Sequence, residues 1–399
     1  MIIGAGQAGS CAAFAMRRAG FQGRILLIGA ERERPYERPP LSKDVLTAPE
    51  PACPFLSAAE RYGDEGIDLL LGAVVEAIDP AAQRLQVAGR EAIAYDKLLL
   101  ATGGRARRLP IPGGDQVLYL RDYADARRIR AALERAARVV CIGAGVIGLE
   151  IASSARTLAR DVVVIEAGPT AMGRCLTPSE AQYMEDLHRT AGVDLRLSVG
   201  VAAIEAAADG TKRVILADGS VEMADCVVAG VGMERNTALA ATAGLQVEGG
   251  IVVDARGRTS LPQVYAAGDV AAFWHPLFGR RMQLESWHHA QDHGGLVGRV
   301  MAGAEEAYEA IPRFWTDQHG VNLQVAGLPG EATDTVLRGE RDGKSYTAFH
   351  LDADGIVVAV TAANNGRDMR PGIDMIRHRR RPDRDLLADA GVPLRKLAA

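Results

Sequence analysis

The residues with the clearest chemical potential lie between positions 143 and 166. Residues 143–150 have the sequence Gly-Ala-Gly-Val-Ile-Gly-Leu-Glu, and Glu166 follows about 20 residues downstream. Gly143 can make a tight turn, Gly145 lets the backbone approach a pyrophosphate, and Gly148 lets a helix pack closely against a strand. The helix N-terminus would face the phosphate charge, and the carboxylate of Glu166 could hydrogen-bond ribose hydroxyls. This spacing predicts a dinucleotide-binding site.

The same arrangement occurs at the start of the sequence. Residues 4–9 have the sequence Gly-Ala-Gly-Gln-Ala-Gly, and they open a predicted helix that ends at Ala19, before Gly20. A short strand at Ile25–Ile28 and then Glu31 complete the segment. Two such segments in one chain predict two dinucleotides held face to face.

Arg38 and Lys43 flank a rigid turn directly after the first segment. Pro39 and Pro40 fix an extended backbone there and remove two backbone donors. Two cations in this position could contact phosphates and a reduced, anionic ring. The alternative is an ordinary connecting loop.

Each glycine turn must be positioned by neighbouring strands, and apolar runs predict such strands next to both turns. Residues 1–3 are predicted to be the first strand, residues 139–142 enter the second glycine turn, and the strand at 162–166 ends in its acid. Beyond each segment the order strand, hairpin, strand and glycine-rich exit recurs, which predicts an internal duplication. The predicted pieces are strands 84–87, 93–100, 212–217, 220–223 and 226–229, a turn at Asp218-Gly219, and glycine exits 101–104 and 230–232.

The later part of the chain changes in character near Phe314. Before it, the strand 263–269 ends in Asp269, and a helix runs from the motif at 283–287 to about Met301. After it, short strands joined by turns predict an antiparallel meander. The predicted elements of this later part are strands 322–326, 335–338, 345–351 and 356–362 and a final amphipathic helix at 383–390. Much earlier in the chain, a helix is predicted at 124–136, before the second glycine turn.

The overall composition excludes several classes of protein. The 399 residues are 48% hydrophobic with a formal net charge of -4, and the pI of about 6.1 argues against a general nucleic-acid binder. No apolar run reaches the roughly 18 residues of a membrane-spanning helix. We expect no signal peptide, because residues 1–3 already form a strand, and the shortness of that strand suggests that a few native residues precede Met1.

The cysteines show no pattern of metal ligation or disulphide exchange. They form no CxxC pair, and we expect Cys11, Cys141 and Cys226 to be small buried hydrophobic residues. The predicted compartment is therefore the reducing cytoplasm, and no metal site is predicted. The complete set is Cys11, Cys53, Cys141, Cys175 and Cys226.

Taken together, these motifs resemble those of the FAD-dependent NAD(P)H:ferredoxin reductases of the putidaredoxin-reductase and aromatic-dioxygenase reductase types, within the glutathione-reductase-like flavoproteins. The similarity covers essentially the whole chain. Its most specific pieces are Arg-Pro-Pro-Leu-Ser-Lys at 38–43, Ala-Thr-Gly-Gly at 101–104, the glycine motif closing in Glu150, Ala-Gly-Asp at 267–269 and Phe-Trp-Thr-Asp-Gln at 314–318.

The resemblance implies an α/β fold with two Rossmann-like dinucleotide-binding domains and a C-terminal α+β interface domain that contains an antiparallel sheet. The FAD domain would be interrupted by the NAD domain. The implied boundaries are 1–106 and 236–309 for the FAD domain, 107–235 for the NAD domain and 310–399 for the interface domain.

The resemblance also implies which residues bind the cofactors, and in some members the ribose acid occupies the position of Ala30 rather than Glu31. FAD, held without a covalent bond, would lie on Gly4, Gly6, Ala8, Gly9, Glu31, Arg38, Lys43, Val75, Arg121 and Asp269, beside the turn Ala101, Thr102 and Gly103 and along Trp287. NAD would lie on Gly143, Gly145, Ile147, Gly148, Glu150, Glu166 and Gly232, with Glu285 and Trp315 bordering the flavin and the nicotinamide.

Two residues bear on the choice between NADH and NADPH. Glu166 can accept both ribose hydroxyls of NADH, whereas a 2′-phosphate would place like charge against it, so we expect NADH to be preferred. Arg174 is the opposing feature, since it is close enough in sequence to receive a phosphate.

The leading functional hypothesis is an electron-transfer enzyme. It takes a hydride from NAD(P)H onto FAD and passes single electrons to a [2Fe-2S] ferredoxin, or to a rubredoxin, that serves a Rieske dioxygenase or a cytochrome P450, as in aromatic hydrocarbon catabolism. One alternative is a disulphide reductase or NADH oxidase-peroxidase of the same fold. Such enzymes need a redox cysteine just after the first segment, where this chain has Pro39, Pro40 and Lys43, and Cys53 lies beyond without a partner. A further alternative is a non-enzymatic flavoprotein like apoptosis-inducing factor, which would carry targeting segments and a basic surface.

The resemblance assigns a catalytic role to Lys43, near flavin N5, and to Glu150, and we expect the two to form an ion pair across a domain junction. The alternative is two unrelated solvated charges.

Because acceptor ferredoxins are usually acidic, a locally basic docking face is expected, with Arg280 and Arg281 or the run 377–381 as candidates and an ordinary solvated surface as the alternative. The expected assembly is a monomer or a weak dimer.

Overall fold

The chain folds into two compact units in the computed structural model, which describes residues 1–341 and 345–398. The second unit takes in the proline turn that follows the first glycine segment, because Arg130 donates to the carbonyls of Val45, Ala48 and Pro49. The first unit comprises Met1–Arg38, Cys53–Arg105 and Met233–Ala310, and the second comprises Pro39–Ala52, Ala106–Gly232 and the chain from Ile311 onwards. The division into FAD, NAD and interface domains remains a prediction.

A five-stranded parallel sheet forms the centre of the first unit. Its inner strands are buried apolar runs, as expected of parallel strands that are covered on both faces. In spatial order the strands are Val264–Ala266, Leu98–Leu100, Ile2–Ile3, Ile25–Ile28 and Ile67–Leu70.

One predicted strand of the first unit is divided in two. The prediction of a continuous strand over 93–100 was wrong, because Ile93–Ala94 pairs antiparallel with Arg84–Val87 whereas Leu98–Leu100 joins the parallel sheet. Both pieces are apolar, so the sequence pattern does not show that the chain leaves one sheet for another between them.

Two helices of the first unit approach each other closely through small residues. Gln7–Arg18 follows the first glycine turn, and Trp287–Met301 packs against it. A Cβ atom added at Gly294 or Gly298 would overlap the backbone of Ala8 or Ala12, respectively. The other elements of this unit are helices Ala59–Asp64 and Ala238–Thr242 and strands Val75–Asp79, Arg84–Val87, Ile93–Ala94, Met233–Arg235, Ile251–Val253, Ala271–His275 and Arg280–Met282.

The second unit contains a parallel sheet with the same plan. Each sheet has the strand that enters the glycine turn near its centre, and each unit has a three-stranded antiparallel sheet before the strand that ends in the glycine exit. This repetition agrees with the predicted duplication, and the predicted hairpin across Asp218-Gly219 pairs Lys212–Leu216 with Val221–Ala224. The parallel strands are Val193–Arg196, Asp161–Ile165, Arg138–Ile142, Cys226–Ala229 and Leu118–Tyr119, and Val201–Ala206 completes the antiparallel sheet.

The C-terminal part of the second unit is an antiparallel sheet, which confirms the predicted α/β fold with a C-terminal antiparallel sheet. It is not the simple meander that was expected, because Val321–Gly327 pairs with Val357–Ala363 instead of the next strand along the chain. The intervening residues include Pro329 and a 3-10 turn, so no tight hairpin forms there. The spatial order is Arg313–Gln318, Val321–Gly327, Val357–Ala363, Tyr346–Leu351 and Asp334–Gly339.

A helix that the sequence pattern missed, Met369–Arg377, packs against this sheet. Pro371 and Gly372 argue against a helix in the sequence, but Pro371 lies in the first turn, where backbone N–H groups have no intrahelical partner. Gly372 lies against Val360 of the sheet, since an added Cβ would meet its Cγ1 at 2.8 Å. The other helices of the unit are Asp44–Thr47, Tyr123–Arg135, Val146–Thr157, Pro178–Thr190, Arg384–Ala388 and Arg395–Ala398.

Within 1–341 and 345–398, none of the helices combines the length and the apolar character that a membrane span requires.

Candidate functional site

The first glycine turn lies at the carboxyl edge of the parallel sheet in the first unit. Gly4 has a φ of +113°, which L side chains rarely adopt, and an added Cβ would overlap the carbonyl of Ala101. The backbone N–H of Ala101 donates to the carbonyl of Ile3 at 2.8 Å. An added Cβ at Gly9 would overlap the carbonyl of Gly4, so helix and strand pack closely. The turns at 4–9 and 101–104 are therefore neighbours.

A third turn, Gly268–Val270, joins them at the same edge. An added Cβ at Gly268 would meet the Cβ of Ala8 at 2.8 Å. Asp269 interacts favourably with Arg38, whose Nη2 lies 2.7 Å from Oε1 of Glu31. The hydroxyl of Tyr36 also donates to Glu31. The structure thus brings together most of the residues that were predicted to hold FAD.

Two residues that sequence reasoning missed bind these turns together. Asn236 makes two hydrogen bonds to the 101–104 turn. Its Nδ2 donates to the carbonyl oxygen of Thr102 at 2.9 Å, and its backbone N–H donates to the carbonyl oxygen of Gly103 at 2.9 Å. Arg235 donates to the carbonyl of Asp269 at 2.7 Å and pairs with Glu285 at 2.8 Å. The only signal in the sequence was their position directly after the glycine exit at 230–232.

The remaining predicted residues of this unit lie at the ends of secondary-structure elements. Val75 begins the strand Val75–Asp79 and is half-buried. Trp287 begins the helix Trp287–Met301, and the side chain of Ser286 caps that helix by accepting from the backbone N–H of His289 at 3.2 Å.

The geometry of the first glycine turn fits a bound diphosphate. Gly6 is the N-cap of the helix Gln7–Arg18, and a Cβ added there would meet none of the described atoms within 4 Å. Backbone N–H groups at the start of a helix favour negative charge, and open space in front of them leaves room for it.

Buried histidines lie behind the Gly268–Val270 turn. Nδ1 of His293 accepts from the backbone N–H of Gly268 at 3.3 Å, and Nδ1 of His289 lies 3.0 Å from the hydroxyl of Tyr308. Burial lowers the pKa of His289 to about 4, and burial also lowers the pKa of His293 well below its usual value. These two rings are therefore neutral in the folded protein.

We expect these histidines to make the first unit sensitive to acid. The unfolded chain takes up protons on both rings near pH 6.5, whereas in the folded chain His289 takes up a proton only near pH 4 and the pKa of His293 is also lowered well below 6.5. The contribution of the two neutral histidines to the free energy of unfolding should therefore be complete above pH 6.5, and the protein should lose stability as the pH falls toward 4. Thermal unfolding between pH 4 and pH 7 should show a smaller loss of stability for His289→Phe than for the wild type, with His378→Gln, at an exposed position, as the control.

The second glycine turn has the same geometry in the second unit. Gly143 has a φ of +96°, and an added Cβ at Gly148 would overlap its carbonyl. Gly145 is the N-cap of the helix Val146–Thr157, and an added Cβ would meet only the carbonyl of Gly230, at 3.7 Å, among the described atoms. Ile147 is 40% exposed beside this turn. The turn therefore also fits a diphosphate.

Glu166 lies directly at this turn, as its spacing predicts. Its Oε2 accepts from the backbone N–H of Ala144 at 2.7 Å, and its Oε1 accepts from that of Gly168 at 2.7 Å. These two bonds fix the carboxylate and leave lone pairs on both oxygens. Arg174 and Gly232 lie near each other in the same unit, since a Cβ added at Gly232 would be 3.9 Å from the guanidinium of Arg174.

A buried ion pair joins Lys43 and Glu150. Nζ of Lys43 lies 2.8 Å from Oε1 of Glu150, whose side chain is only 2% exposed. Oε1 also accepts from the hydroxyl of Thr316 at 2.6 Å, and Oε2 accepts from that of Ser42. The pair was expected to cross a domain junction, but both residues lie in the second unit because Pro39–Ala52 packs there. Ser42 and Thr316 were not predicted as partners.

The structure divides the residues implied for FAD between the units. Lys43 and Arg121 belong to the second unit, whereas the others that were implied for FAD belong to the first. Arg121 precedes the helix Tyr123–Arg135, and its backbone N–H donates to Asp125 at 2.9 Å. Trp315 also belongs to the second unit and precedes Thr316 in the strand Arg313–Gln318.

Cys11, Cys53, Cys141 and Cys226 are poorly suited to thiol chemistry. The described cysteines form no disulphide bond, and Cys11 is only partly buried rather than fully buried as expected, whereas Cys141 and Cys226 are buried. Burial raises the pKa values of Cys11 and Cys53 to about 11. Burial likewise raises the pKa values of Cys141 and Cys226. Because the thiolate is the nucleophile, these groups are unreactive near neutral pH. Among residues 1–341 and 345–398, His, Cys, Asp and Glu side chains form no group of three or more that could hold a metal ion.

Comparison with known proteins extends this picture to the whole chain. Residues 1–294 match the family model described as pyridine nucleotide-disulphide oxidoreductase, and residues 313–398 match that described as reductase C-terminal. The ferredoxin--NAD(+) reductase component of the anthranilate 1,2-dioxygenase system of Burkholderia cepacia is 40% identical over 99% of this chain and 98% of its own.

Solved structures agree with the sequence comparison. The ferredoxin reductase for the CYP199A2 system from Rhodopseudomonas palustris is 35% identical with a TM-score of 0.96, covering 100% of this chain and 99% of its own. The reductase in the covalent putidaredoxin reductase-putidaredoxin complex is 34% identical with a TM-score of 0.94, covering 99% and 97%. The chain belongs to the pyridine nucleotide-disulphide oxidoreductase family and, within it, to the ferredoxin reductases that carry a C-terminal reductase domain.

Proposed function

We propose that this protein oxidises NADH by means of a non-covalent FAD and passes electrons one at a time to a [2Fe-2S] ferredoxin that serves an oxygenase. The observation that carries the proposal is the pair of glycine turns, each open in front of a helix N-terminus, in one chain. When bound, FAD supplies the conversion between a two-electron donor and a one-electron acceptor. The same proposal places the protein in the cytoplasm as a monomer or a weak dimer, with a Rieske dioxygenase or a cytochrome P450 as the final oxygenase.

The protein residues would bind and orient the two cofactors. Gly4, Gly6 and Gly9 would admit the FAD diphosphate, and Arg38 and Asp269 would contact the same molecule from the neighbouring turns. A disulphide reductase of this fold is disfavoured, because the turn after the first glycine segment presents Lys43 and the thiol of Cys53 has a raised pKa.

The proposal is tested by NADH-dependent reduction of ferricyanide or cytochrome c by the FAD-loaded protein. We expect turnover, and we expect acid precipitation to release free FAD into the supernatant. An absence of turnover by fully loaded protein would remove the enzymatic proposal, and yellow colour that stays on the precipitate would show a covalent link.

We propose that Glu166 sets a preference for NADH over NADPH. Its fixed carboxylate can accept ribose hydroxyls but would repel a 2′-phosphate. Replacing Glu166 by Ala should reduce the ratio of the two kcat/KM values by about tenfold, equivalent to about 1.4 kcal/mol of discrimination. Glu205→Ala, at an exposed strand position of the same unit, is the control. An unchanged ratio in Glu166→Ala would refute the assignment, whatever the effect on total activity.

We propose that Lys43 and Glu150 form the catalytic pair. This role requires the reacting rings to come within reach of the Lys43 ammonium. Glu150 would hold that ammonium in place, as its 2.8 Å separation and its burial allow. A buried ion pair alone is weak support for stability, because desolvation offsets the attraction, so we assign this pair to function.

We propose that the ferredoxin docks near the strand Arg280–Met282. Trp274 is 46% exposed and lies opposite Arg281 across the strand pair, and Trp and Arg are common at the centres of interfaces. Arg281 is also paired with Glu248, which reduces the local positive charge. The other candidate run, 377–381, is partly engaged in its own unit, because Arg380 donates to the carbonyl of Ala398 at 3.2 Å.

Reversing the charge of Arg281 should weaken ferredoxin docking selectively. We expect Arg281→Glu to raise the KM for ferredoxin by about tenfold at low salt, with a smaller effect at high salt, because charge steering is screened. Ferricyanide reduction should be unchanged, and Arg377→Glu should have a smaller effect on ferredoxin. Equal losses with both acceptors would show that Arg281 has a structural role instead.

A further inference from the structure

A series of hydrogen-bonded polar side chains, called here the hydrogen-bond chain, extends from Glu150 into the interior of the second unit. The hydroxyl of Thr316 lies 2.6 Å from Oε1 of Glu150, and Nε2 of Gln318 lies 2.8 Å from that hydroxyl. Oε1 of Gln318 lies 2.6 Å from Nε2 of His188, whose Nδ1 lies 3.1 Å from Nε2 of His319. Thr316, Gln318 and His188 are at most 1% exposed.

Separate secondary-structure elements hold this chain in place. Thr316 and Gln318 are two residues apart in the strand Arg313–Gln318, so their side chains lie on the same face. Glu150 and Ser153 come from the helix Val146–Thr157, and the hydroxyl of Ser153 accepts from the backbone N–H of His319 at 2.9 Å. The hydrogen-bond chain therefore connects the C-terminal sheet to the helix that begins at the second glycine turn.

The chemistry of the groups fixes the direction of each hydrogen bond. The carboxylate of Glu150 only accepts, so the hydroxyl of Thr316 must donate to it. The oxygen of Thr316 then accepts from the amide N–H of Gln318, which leaves the Gln318 oxygen to accept from Nε2–H of His188. A neutral imidazole has a single N–H, so Nδ1 of His188 accepts from Nε2–H of His319. Each donor along the chain points toward Glu150.

The surroundings of the two histidines agree with this assignment. Burial lowers the pKa of His188, and burial together with the neighbouring His188 lowers the pKa of His319 to about 4. Both rings are therefore neutral near pH 7, with one donor each. Hydrogen bonds aligned in series polarise one another, so the chain adds to the donors that stabilise the Glu150 carboxylate.

We propose that Thr316, Gln318 and His188 are positioning residues that hold the carboxylate of Glu150 toward Lys43 through this one-directional chain. The inference deepens the proposed function, since it rests on the catalytic role proposed for Lys43 and Glu150. It assigns to the C-terminal sheet a part in arranging the reactive pair, because that sheet supplies Thr316 and Gln318.

The first test determines which groups donate the hydrogen bonds, and it does not depend on enzyme activity. Nitrogen-15 NMR of the FAD-containing protein, labelled at histidine, should show His188 and His319 as neutral rings with the proton on Nε2 at pH 7. Loss of signals in His188→Asn and His319→Asn identifies the two rings. A proton on Nδ1 of either ring, or a doubly protonated His188, would overturn the proposal.

The second test measures positioning. Thr316→Val keeps the shape of the side chain but removes the donor, whereas Thr316→Ser keeps the donor. We expect Thr316→Val to slow FAD reduction by NADH by about tenfold with the Kd for NADH unchanged, and Thr316→Ser to retain the wild-type rate. A wild-type rate in Thr316→Val, or equal slowing in both variants, would show that the hydroxyl does not position Glu150.

The two tests also separate this inference from the proposed function. If Lys43→Met reduces FAD at the wild-type rate, the catalytic role of the pair fails, and the positioning proposal fails with it. If Lys43→Met is slow but the histidine protons lie on Nδ1, only the positioning chain is refuted.

Discussion

Replacing Lys43 by Met is expected to slow the reduction of bound FAD by NADH by about 100-fold while FAD stays bound. Methionine has a similar length but no charge, so the change removes the ammonium that Glu150 holds at 2.8 Å. Negative charge develops on the acceptor ring mainly as the hydride arrives, so the loss should affect the rate more than the affinity for NADH. The carboxylate of Glu150 also loses its cation, which is costly for a buried charge.

Anaerobic stopped-flow measurement of flavin bleaching separates rate from affinity for this variant. The limiting rate at saturating NADH should fall, and the apparent Kd for NADH should change little. Lys396→Met removes a positive charge from an exposed position in the helix Arg395–Ala398 and should behave as the wild type. A wild-type rate in Lys43→Met, with FAD fully bound, would show that this lysine has no catalytic part.

Replacing Gly298 by Ala is expected to destabilise the first unit by about 1–3 kcal/mol. The added Cβ would overlap the backbone carbonyl of Ala12, so the helices Gln7–Arg18 and Trp287–Met301 would have to move apart. The higher helix propensity of Ala offsets only about 1 kcal/mol of this cost. The helix that moves begins at the first glycine turn, so the variant should also retain FAD less well.

The same helix offers a matched control for this substitution. A Cβ added at Gly295 would meet only the guanidinium of Arg299, at 3.7 Å, among the described atoms, and that side chain can move. Gly295→Ala should therefore raise the melting temperature slightly, while Gly298→Ala should lower it. If thermal unfolding of the FAD-loaded proteins gives Gly298→Ala the higher melting temperature, the close packing of the two helices is not needed for stability.

The sequence was most informative where a function depends on local geometry. The glycine turns at 4–9 and 143–148, the placement of Glu166 and the hairpin across Asp218-Gly219 all depend on residues that are near one another in the chain. Glycine spacing and apolar periodicity report such features directly. The structure shows each of them where the sequence predicts it.

The sequence was less informative where distant segments meet. The division of 93–100 between two sheets and the place of Val321–Gly327 in its sheet depend on pairing partners that periodicity does not report. Thr316 and Gln318 were part of a recognised motif, but their contacts with Glu150 and His188 depend on how a strand packs against two helices. The assignment of Pro39–Ala52 to the second unit likewise depends on carbonyl contacts with Arg130.

We conclude that this chain moves two electrons from NADH to one-electron ferredoxins through FAD. The most direct test mixes the FAD-loaded protein anaerobically with a limiting amount of NADH and an excess of oxidised [2Fe-2S] ferredoxin and follows both chromophores. Because NADH gives two electrons and each ferredoxin takes one, we predict two reduced ferredoxins for each NADH consumed. Oxidation of NADH that leaves several different purified ferredoxins oxidised, or a complete absence of NADH oxidation, would contradict the account.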